Sequence, residues 1–385
     1  MSDNLVLGKK NVKAMILVVL LVICLFASIT YVFHLMFNYS SPRDVFFGVS
    51  FGLNTTAEAK LLIDKVKDYT NLFVINSWAI STNETALNEI CNYAVEAELH
   101  FMVFFSFVSH FTYSWHIPWL EAAKERWGEY FLGIYLYDEP GGKQIDKDHW
   151  RGSGSPQGSF SNYSEAANWF ISEINNSISM QDLRVRNIPV FTSDYALYWF
   201  DYLAGYDCVF AEFGWNHSRI KHIALVRGAA NVQGKEWGVI ITWAYNHPPY
   251  LENGTKLLED LILAYRAGAN YIVIFNYPKI NPYGILTEEH FEAMRKFWRL
   301  INSGSPIAKI KADIAFVLPR DYGWGMRTPD DNIWGYWPPD DLAPRIWRET
   351  NELMETYGLK LDIIYDDSRF NYKRKYSKIY FWNCS

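Results

Sequence analysis

The stretch VFFGVSFGLNTTAEAKLLIDKVKDYTNLFVINSW, residues 45–78, contains two short β-rich runs with a helical segment between them. In the helical segment, apolar residues recur at the i, i+3, i+4 and i+7 spacing that gives a helix one buried face, and charged residues lie opposite. Two strands joined by such a helix form a βαβ unit. The stretch therefore predicts a parallel sheet with helices packed on it.

The same alternation of strands and helices continues along the chain, and eight units can be counted. The predicted strands are residues 45–51, 72–78, 101–107, 131–139, 188–194, 208–213, 238–245 and 271–277. Eight strand–helix pairs in about 260 residues match the usual size of a (β/α)8 or TIM-type barrel, which we place at residues 44–304. The alternative is an open doubly wound sheet. No glycine-rich phosphate-binding motif follows the first strand, so nothing favours a nucleotide site.

A smaller α/β unit is predicted to follow the barrel over residues 310–385. Its predicted strands are residues 312–319, 359–367 and 378–383, with a helix near residues 344–357. Between the first strand and the helix lies a stretch rich in Gly, Pro and Trp, which predicts an ordered surface loop. Its tryptophans, Trp324, Trp334 and Trp337, either cap the barrel mouth or pack the two units together, and packing is the favoured interpretation.

One apolar segment precedes the barrel. Residues 14–37 contain no Lys, Arg, Asp or Glu, and a helix of this length crosses a hydrocarbon core of about 30 Å. Lys9, Lys10 and Lys13 favour a cytoplasmic position for residues 1–13. We therefore predict a single-pass cell-membrane protein that contacts the lipid bilayer through this segment, with the rest of the chain extracytoplasmic. The alternative is a cleaved signal peptide, although no small-residue cleavage pattern closes the run.

Eight N-x-S/T sequons agree with an extracytoplasmic position. They begin at Asn38, Asn54, Asn83, Asn162, Asn175, Asn216, Asn253 and Asn383. Such sequons accept N-linked glycans, so the pattern predicts a glycoprotein. The alternative is that Asn, Ser and Thr are simply common in loops.

The composition limits the partners and cofactors. The net charge of −6 provides no basic surface, so no nucleic acid partner is expected. His110, His217 and His247 come from separate loops, without the i, i+4 spacing of a helical ligand pair. We therefore predict no metal site and no other cofactor.

Acidic residues stand at the carboxyl ends of three predicted strands, where barrels of this kind carry their reacting groups. Strand four ends in Asp138 and Glu139, strand five in Asp194, and strand six carries Glu212. The alternation of side chains along a strand assigns Tyr135, Tyr137 and Glu139 to the barrel interior, together with Val190, Thr192 and Asp194 on strand five, and Phe210 and Glu212 on strand six. A carboxylate that faces the interior must be paired, hydrated or reactive.

The sequence YDEP, Tyr137 to Pro140, resembles the Asn-Glu-Pro signature at the end of strand four in (β/α)8 glycoside hydrolases. This resemblance implies that Glu139 is the acid/base. Two features depart from the family: Asp138 replaces the Asn that contacts the sugar, and strand seven ends in TWAYN, residues 242–246, without the usual nucleophilic Glu. Hexosaminidase-like barrels also carry an Asp-Glu pair on strand four, and other retaining glycosidases take their acids from strands four and six.

If the two acids come from strands four and six, Glu212 is the partner of Glu139. Asp194 is the other candidate for this partner. Two such carboxyls about 5 to 10 Å apart would suit hydrolysis of a glycosidic bond. The layout of a barrel followed by a smaller α/β unit also resembles some β-galactosidases, whose second domain is like a glutamine amidotransferase fold. The chain is similar as well to uncharacterised archaeal membrane-anchored barrel proteins.

Aromatic residues make up 17% of the chain, and several fall near the predicted strand ends. Together with polar neighbours they give the predicted substrate-binding set: Asp138, Tyr137, Trp78, Asn76, Trp215, Trp243, Tyr245 and Asn276. The alternative for many of these rings is core packing. The sequence thus predicts a membrane-anchored, extracytoplasmic glycoside hydrolase-like enzyme for surface or lipid-linked glycans. A non-catalytic carbohydrate-binding or structural envelope protein is the alternative, favoured by the missing acid on strand seven.

Overall fold

The computed structural model describes residues 45–105, 113–147, 160–303 and 307–383. The predicted cytoplasmic residues 1–13 and membrane span 14–37 lie outside these ranges. Among the helices described, none has both the length and the apolar character needed to cross a membrane.

Eight parallel strands close into a barrel. They are β1 (Phe46–Phe51), β2 (Leu72–Ile75), β3 (His100–Phe104), β4 (Phe131–Tyr135), β5 (Val190–Asp194), β6 (Cys208–Phe213), β7 (Glu236–Ile241) and β8 (Tyr271–Ile274). Each strand pairs with the next along the chain, and β8 pairs with β1. The predicted (β/α)8 barrel is confirmed, and closure rules out the open doubly wound sheet.

Helices connect the strands and cover the outside of the barrel. They are α1 (Thr56–Val66), α2 (Trp78–Ser81), α3 (Glu84–Glu96), α4 (His116–Trp127), α5 (Pro140–Asp146), α6 (Tyr163–Asn175), α7 (Ile178–Val185), α8 (Tyr198–Ala204), α9 (Arg219–Gln233), α10 (Gly254–Ala267) and α11 (Glu288–Ile301). Side-chain caps mark several helix starts, because a polar oxygen there accepts an otherwise unpaired backbone N–H. Three sequon residues, Asn83, Asn162 and Asn253, have this capping role.

The barrel interior is filled by apolar and aromatic side chains from all eight strands. On β5 the interior residue is Phe191, which contacts Phe210 and Tyr271 with ring centroids 5.9 and 5.3 Å apart. Val190 instead packs in the outer core, between the strands and the helices. The predicted orientation of strand five is therefore wrong by one residue. Both faces of that strand carry apolar and polar residues, so the pattern did not discriminate between them.

Strand β4 also departs from simple alternation. Leu132 precedes Tyr135 by three residues, so alternation would place it on the helix side, but it packs against the interior cluster, and the pairing register with β3 shifts at this point. Gly133, with φ of 144°, accommodates the irregularity. Tyr135 faces the interior as predicted. Tyr137 does not: its φ is 55°, and its ring lies in the outer core.

A second parallel sheet follows the barrel, as predicted. It contains β9 (Ile314–Leu318), β10 (Leu361–Tyr365) and β11 (Lys378–Phe381) in the order β10-β9-β11, with α12 (Ala343–Tyr357) between β9 and β10. This C-terminal unit packs on α9. Gly228 permits the close approach, because a Cβ there would lie 2.5 Å from the Ile363 carbonyl oxygen.

The tryptophan-rich loop between β9 and α12 packs the two units together, which was the favoured interpretation. Trp324 and Trp334 are buried, and the Trp334 ring lies 4.6 Å from that of Phe200 on α8. The side-chain amide of Gln144, on α5, donates a hydrogen bond of 2.9 Å to the Trp334 carbonyl. The loop therefore contacts α5, the helix that begins directly after Glu139.

Candidate active site

A cavity of about 280 Å³ opens at the carboxyl ends of the barrel strands. Six predicted site residues line it: Asp138, Glu139, Glu212, Asn76, Trp215 and Trp243. The three acids come from the β4 and β6 side. Ser50, Asn76 and Thr242 line the cavity from the ends of β1, β2 and β7 among apolar residues, so the cavity has one acidic wall and one neutral wall.

A second cavity, of about 390 Å³, lies at the amino ends of β5 and β6, where Arg184, Asp207 and Lys235 line it. It is larger than the first, but the reacting groups of such barrels come from the other face. None of the predicted site residues lines it. The smaller cavity is therefore the candidate site.

The backbone at the end of β4 positions Glu139. The strand ends at Tyr135, and Glu139 has φ of 55° and ψ of 47°, a left-handed conformation that costs a non-glycine residue on the order of 1–3 kcal/mol. Its N–H donates to the Ser193 carbonyl at 3.1 Å, and its carbonyl accepts from the Lys143 N–H at 2.9 Å. These bonds hold the strained residue at the start of α5, with its side chain 27% exposed.

The carboxyls of Glu139 and Glu212 interact directly. Glu212 is only 6% exposed, and the two carboxyl groups lie within hydrogen-bonding reach of each other. Burial and the charges of Glu139 and Asp138 raise the pKa of Glu212 well above its usual range. Burial and the charge of Asp138 also raise the pKa of Glu139. Because two carboxylates this close resist ionising together, the pair holds a proton.

This contact differs from the geometry that suits hydrolysis. A separation of about 5 to 10 Å between the two carboxyls would suit that reaction, whereas carboxyls within hydrogen-bonding reach are closer than that. The parity of Glu212 with Phe210 is confirmed, since both face the interior of the barrel.

Two further side chains connect the acids. Ser193 donates from Oγ to Glu212 Oε1 at 2.8 Å. The Tyr135 hydroxyl lies 2.6 Å from Ser193 Oγ and 3.1 Å from Asp138 Oδ1, and its single proton serves one of them at a time. Burial raises the pKa of Tyr135 well above its usual range, so the phenol stays protonated.

Lys143 completes the set from α5. Its Nζ lies 3.2 Å from Asp138 Oδ2 and 3.4 Å from Glu139 Oε2, and it donates to the Asp138 carbonyl at 2.9 Å. The predicted site residues did not include Tyr135, Ser193 or Lys143. The i, i+4 spacing of Glu139 and Lys143 was an available signal.

Asp194 lies behind the cavity and does not line it. The residue is fully buried, and its carboxylate accepts backbone N–H groups from Gly141 at 2.6 Å, Gly142 and Tyr195 at 2.7 Å, and Ala196 at 3.1 Å. Burial raises the pKa of Asp194 to about 7, while these four bonds act in the opposite direction. Its carboxylate therefore ties the start of α5 to the loop after β5, and is not exposed to a ligand in the cavity.

The remaining predicted binding residues lie outside the cavity wall. The Asn276 side chain is buried and holds a loop, donating to the Tyr283 carbonyl at 2.9 Å and accepting from the Ile285 N–H at 2.9 Å. Tyr137 is buried on the outer side of β4. Trp78 and Tyr245 are 51% and 40% exposed.

Within the described ranges, no group of three or more His, Cys, Asp or Glu side chains is arranged to hold a metal ion. His110 lies outside those ranges. The expected lack of a metal and of other cofactors remains a prediction.

No protein-family model and no curated protein matches the chain. Solved structures do. A polyextremophilic β-galactosidase from the Antarctic haloarchaeon Halorubrum lacusprofundi aligns with a TM-score of 0.56 at 9% identity, covering 88% of this chain and 69% of its own. A β-1,4-D-mannanase from Cryptopygus antarcticus aligns with a TM-score of 0.41 at 13% identity, covering 69% of this chain and 93% of its own. A β-mannanase from the blue mussel Mytilus edulis aligns with a TM-score of 0.39 at 10% identity, covering 67% of this chain and 93% of its own. At 9% identity, the alignment with the β-galactosidase shows a shared TIM-barrel fold.

Proposed function

We propose that the protein is a glycoside hydrolase-like enzyme in which Glu139 and Glu212 form the catalytic pair. The observation that carries the proposal is the pair itself: two carboxyls within hydrogen-bonding reach of each other, in an open cavity at the carboxyl ends of the strands. Hydrolysis of a glycosidic bond needs one carboxylic acid and one carboxylate. Perturbed pKa values in a cleft are typical of such groups.

The distribution of charge in the cavity supports a neutral, hydroxyl-rich substrate. Among the described residues that line it, no Lys or Arg is present to bind a phosphate ester. Trp215, which is 43% exposed, and Trp243 provide flat rings at the rim. Aromatic faces beside polar groups suit the apolar faces of sugar rings.

A sugar between the two acids requires them to separate. Retaining and inverting enzymes hold their carboxyls about 5–5.5 Å and about 6.5–9.5 Å apart, respectively. Glu139 is the more mobile candidate, because it lies on a loop and is partly exposed, whereas Glu212 lies within a strand and accepts the Ser193 hydroxyl. We propose that substrate displaces Glu139.

We further propose that residues 14–37 anchor the enzyme in the cell membrane with the barrel outside the cytoplasm. Only a few residues separate this segment from β1, which begins at Phe46. An enzyme tethered in this way would meet glycans of the cell surface or lipid-linked sugars first. The eight sequons support the same orientation.

The proposal is tested by turnover on a panel of glycans that includes β-galactosides and β-mannans, the substrates in the names of the similar structures. We expect Glu139→Gln and Glu212→Gln each to lower kcat about 10²- to 10⁴-fold, because each removes a proton donor or acceptor. Glu236→Gln is the matched control, since Glu236 lies at the amino end of β7 and contacts the Tyr271 hydroxyl. Equal turnover by wild type and both site variants would refute the assignment.

The second candidate is a non-catalytic carbohydrate-binding protein. It is favoured by the end of β7, where Thr242 lines the cavity and contributes no acid among the described lining residues. Calorimetric binding of a glycan that the wild-type chain does not cleave over long incubation would select this candidate over the enzyme.

A further inference from the structure

The three acids of the cavity, Asp138, Glu139 and Glu212, differ in whether a positively charged side chain contacts them. Lys143 lies one helical turn after Glu139, and its Nζ contacts both Asp138 and Glu139. In the described part of the chain, no other Lys or Arg forms an ion pair with Asp138, Glu139 or Glu212. The neighbours of Glu212 are the Ser193 hydroxyl and the Glu139 carboxyl, both without positive charge.

Other charged groups near the site are already paired. Arg327, from the C-terminal unit, lies over the Tyr195 ring and binds Asp146 at 2.8 Å and Asp331 at 2.7 Å. The phenols that face the acids, Tyr135 and Tyr195, stay neutral because burial raises the pKa of each. Lys143 is therefore the cation that distinguishes one glutamate from the other.

We propose that Lys143 is a positioning residue that keeps Glu139 ionised and leaves the shared proton on Glu212. This inference rests on the proposed function and assigns its roles. Glu212 becomes the proton donor and Glu139 the nucleophile or base, the reverse of what the YDEP resemblance implies.

In the reaction so assigned, the Glu212 proton passes to the glycosidic oxygen, and the bond from the anomeric carbon to that oxygen breaks with its electron pair on the oxygen. The Glu139 carboxylate either attacks the anomeric carbon or removes a proton from the water that attacks it. In the first case, water then breaks the bond between Glu139 and the sugar, and the proton that this water loses returns to Glu212. When water attacks directly, the proton lost by Glu212 is balanced by the one that Glu139 gains. The contact between the two carboxyls then provides the path for its return.

The burial of the two side chains also favours the shared proton on Glu212 and the charge on Glu139. Glu212 is 6% exposed and lies within β6, where ionisation is costly, whereas the Glu139 side chain is 27% exposed. The charge of Lys143 and the hydrogen bond with Glu212 both lower the pKa of Glu139 and so oppose its rise. Among the residues that the structure describes, no comparable cation opposes the rise in the pKa of Glu212.

The test is a pH titration of the whole chain labelled with ¹³C at the glutamate carboxyls, followed by NMR. Glu139→Gln and Glu212→Gln identify the two resonances. Lys143→Met keeps most of the aliphatic stem and removes the charge, and Lys143→Arg restores it. Lys147→Met, at the exposed end of the same helix, is the matched control.

We expect the wild-type Glu139 resonance to titrate below that of Glu212. Lys143→Met should raise the Glu139 midpoint by about one pH unit or more, the usual effect of losing a nearby opposite charge, while the Arg variant and the control stay near wild type. A shared proton on Glu139 in the wild type, or an unmoved midpoint in Lys143→Met, would overturn the inference.

The titration needs no substrate, so the two proposals fail separately. A moved midpoint in a chain that cleaves no glycan would keep the charge assignment and refute hydrolysis. Turnover that depends on both glutamates, with an unmoved midpoint in Lys143→Met, would keep hydrolysis and refute the role of Lys143.

Discussion

The buried ion pair between α9 and the C-terminal unit gives a sharp stability prediction. Arg227 and Asp362 are 3% and 0% exposed in their side chains, and Nε donates to Oδ1 at 2.7 Å. The guanidinium also donates to the carbonyls of Leu359 at 2.7 Å and Leu361 at 3.0 Å. Arg227→Met would leave the Asp362 charge buried and these carbonyls without their donor.

Removing one partner of a buried pair typically costs about 3–5 kcal/mol. Asp362 retains two donors, Asn231 at 3.1 Å and the Tyr376 hydroxyl at 2.9 Å, so we expect the lower half of that range. Adding Asp362→Asn to Arg227→Met removes the uncompensated charge. The double variant should therefore recover about 1 kcal/mol or more of the loss.

The free energy of unfolding is measured by urea denaturation with tryptophan fluorescence, on the whole chain in one detergent. Arg299→Met is the matched control, because Arg299 is 70% exposed and pairs with Glu292 at 3.3 Å, a contact that contributes about 0–1 kcal/mol. If Arg227→Met loses no more stability than Arg299→Met, the ion pair does not hold the C-terminal unit on α9.

Two other predictions concern a buried lysine and the apolar N-terminal segment. Lys221 is 3% exposed and lies against the Trp347 ring, and burial lowers its pKa to about 8. Because this pKa is below that of the unfolded chain, the unfolded state binds more protons, and the wild-type free energy of unfolding should rise with pH from about 8 to 10. Lys221→Met should lack that rise, which is at most about 3 kcal/mol, and identical pH curves would contradict the assignment. For residues 14–37, we expect the chain to stay with membranes after an alkaline wash and its barrel to be digested by external protease; release by the wash would contradict the anchor.

The barrel was predictable from the sequence because parallel strands buried on both faces give apolar runs that alternate with amphipathic helices. Several of the predicted strands extend too far at their carboxyl ends, however. The fourth was predicted to reach Glu139 and the strand ends at Tyr135, and the eighth was predicted to reach Tyr277 and ends at Ile274. Four of the seven extra residues on these two strands, Leu136, Tyr137, Phe275 and Tyr277, are aromatic or apolar, so composition alone does not separate them from the paired strand.

The site was predictable where a residue's place on a strand determined its direction. Glu212 follows Phe210 by two residues on a regular strand, and both face the interior. Ser193 was missed because the orientation of β5 was assigned one residue out of phase, which placed Asp194 in the barrel. Lys143 was missed because it lies on a helix, whereas the predicted acids all lie at strand ends.

The choice of strands explains why the two acids touch. Strands β4 and β6 are separated by one strand, so their interior side chains meet on the same wall, and Ser193 of β5 lies between them and donates to Glu212. An acid on β7 would be one strand further round the barrel, with more room for a sugar between it and Glu139. A substrate here would lie against the neutral wall of Ser50, Asn76 and Thr242 and meet both acids from one side. Because Lys143 lies on the helix that Glu139 begins, a small displacement of that helix start would carry the carboxylate and its cation together. The contact between Glu139 and Lys143 would then remain when a substrate separates Glu139 from Glu212.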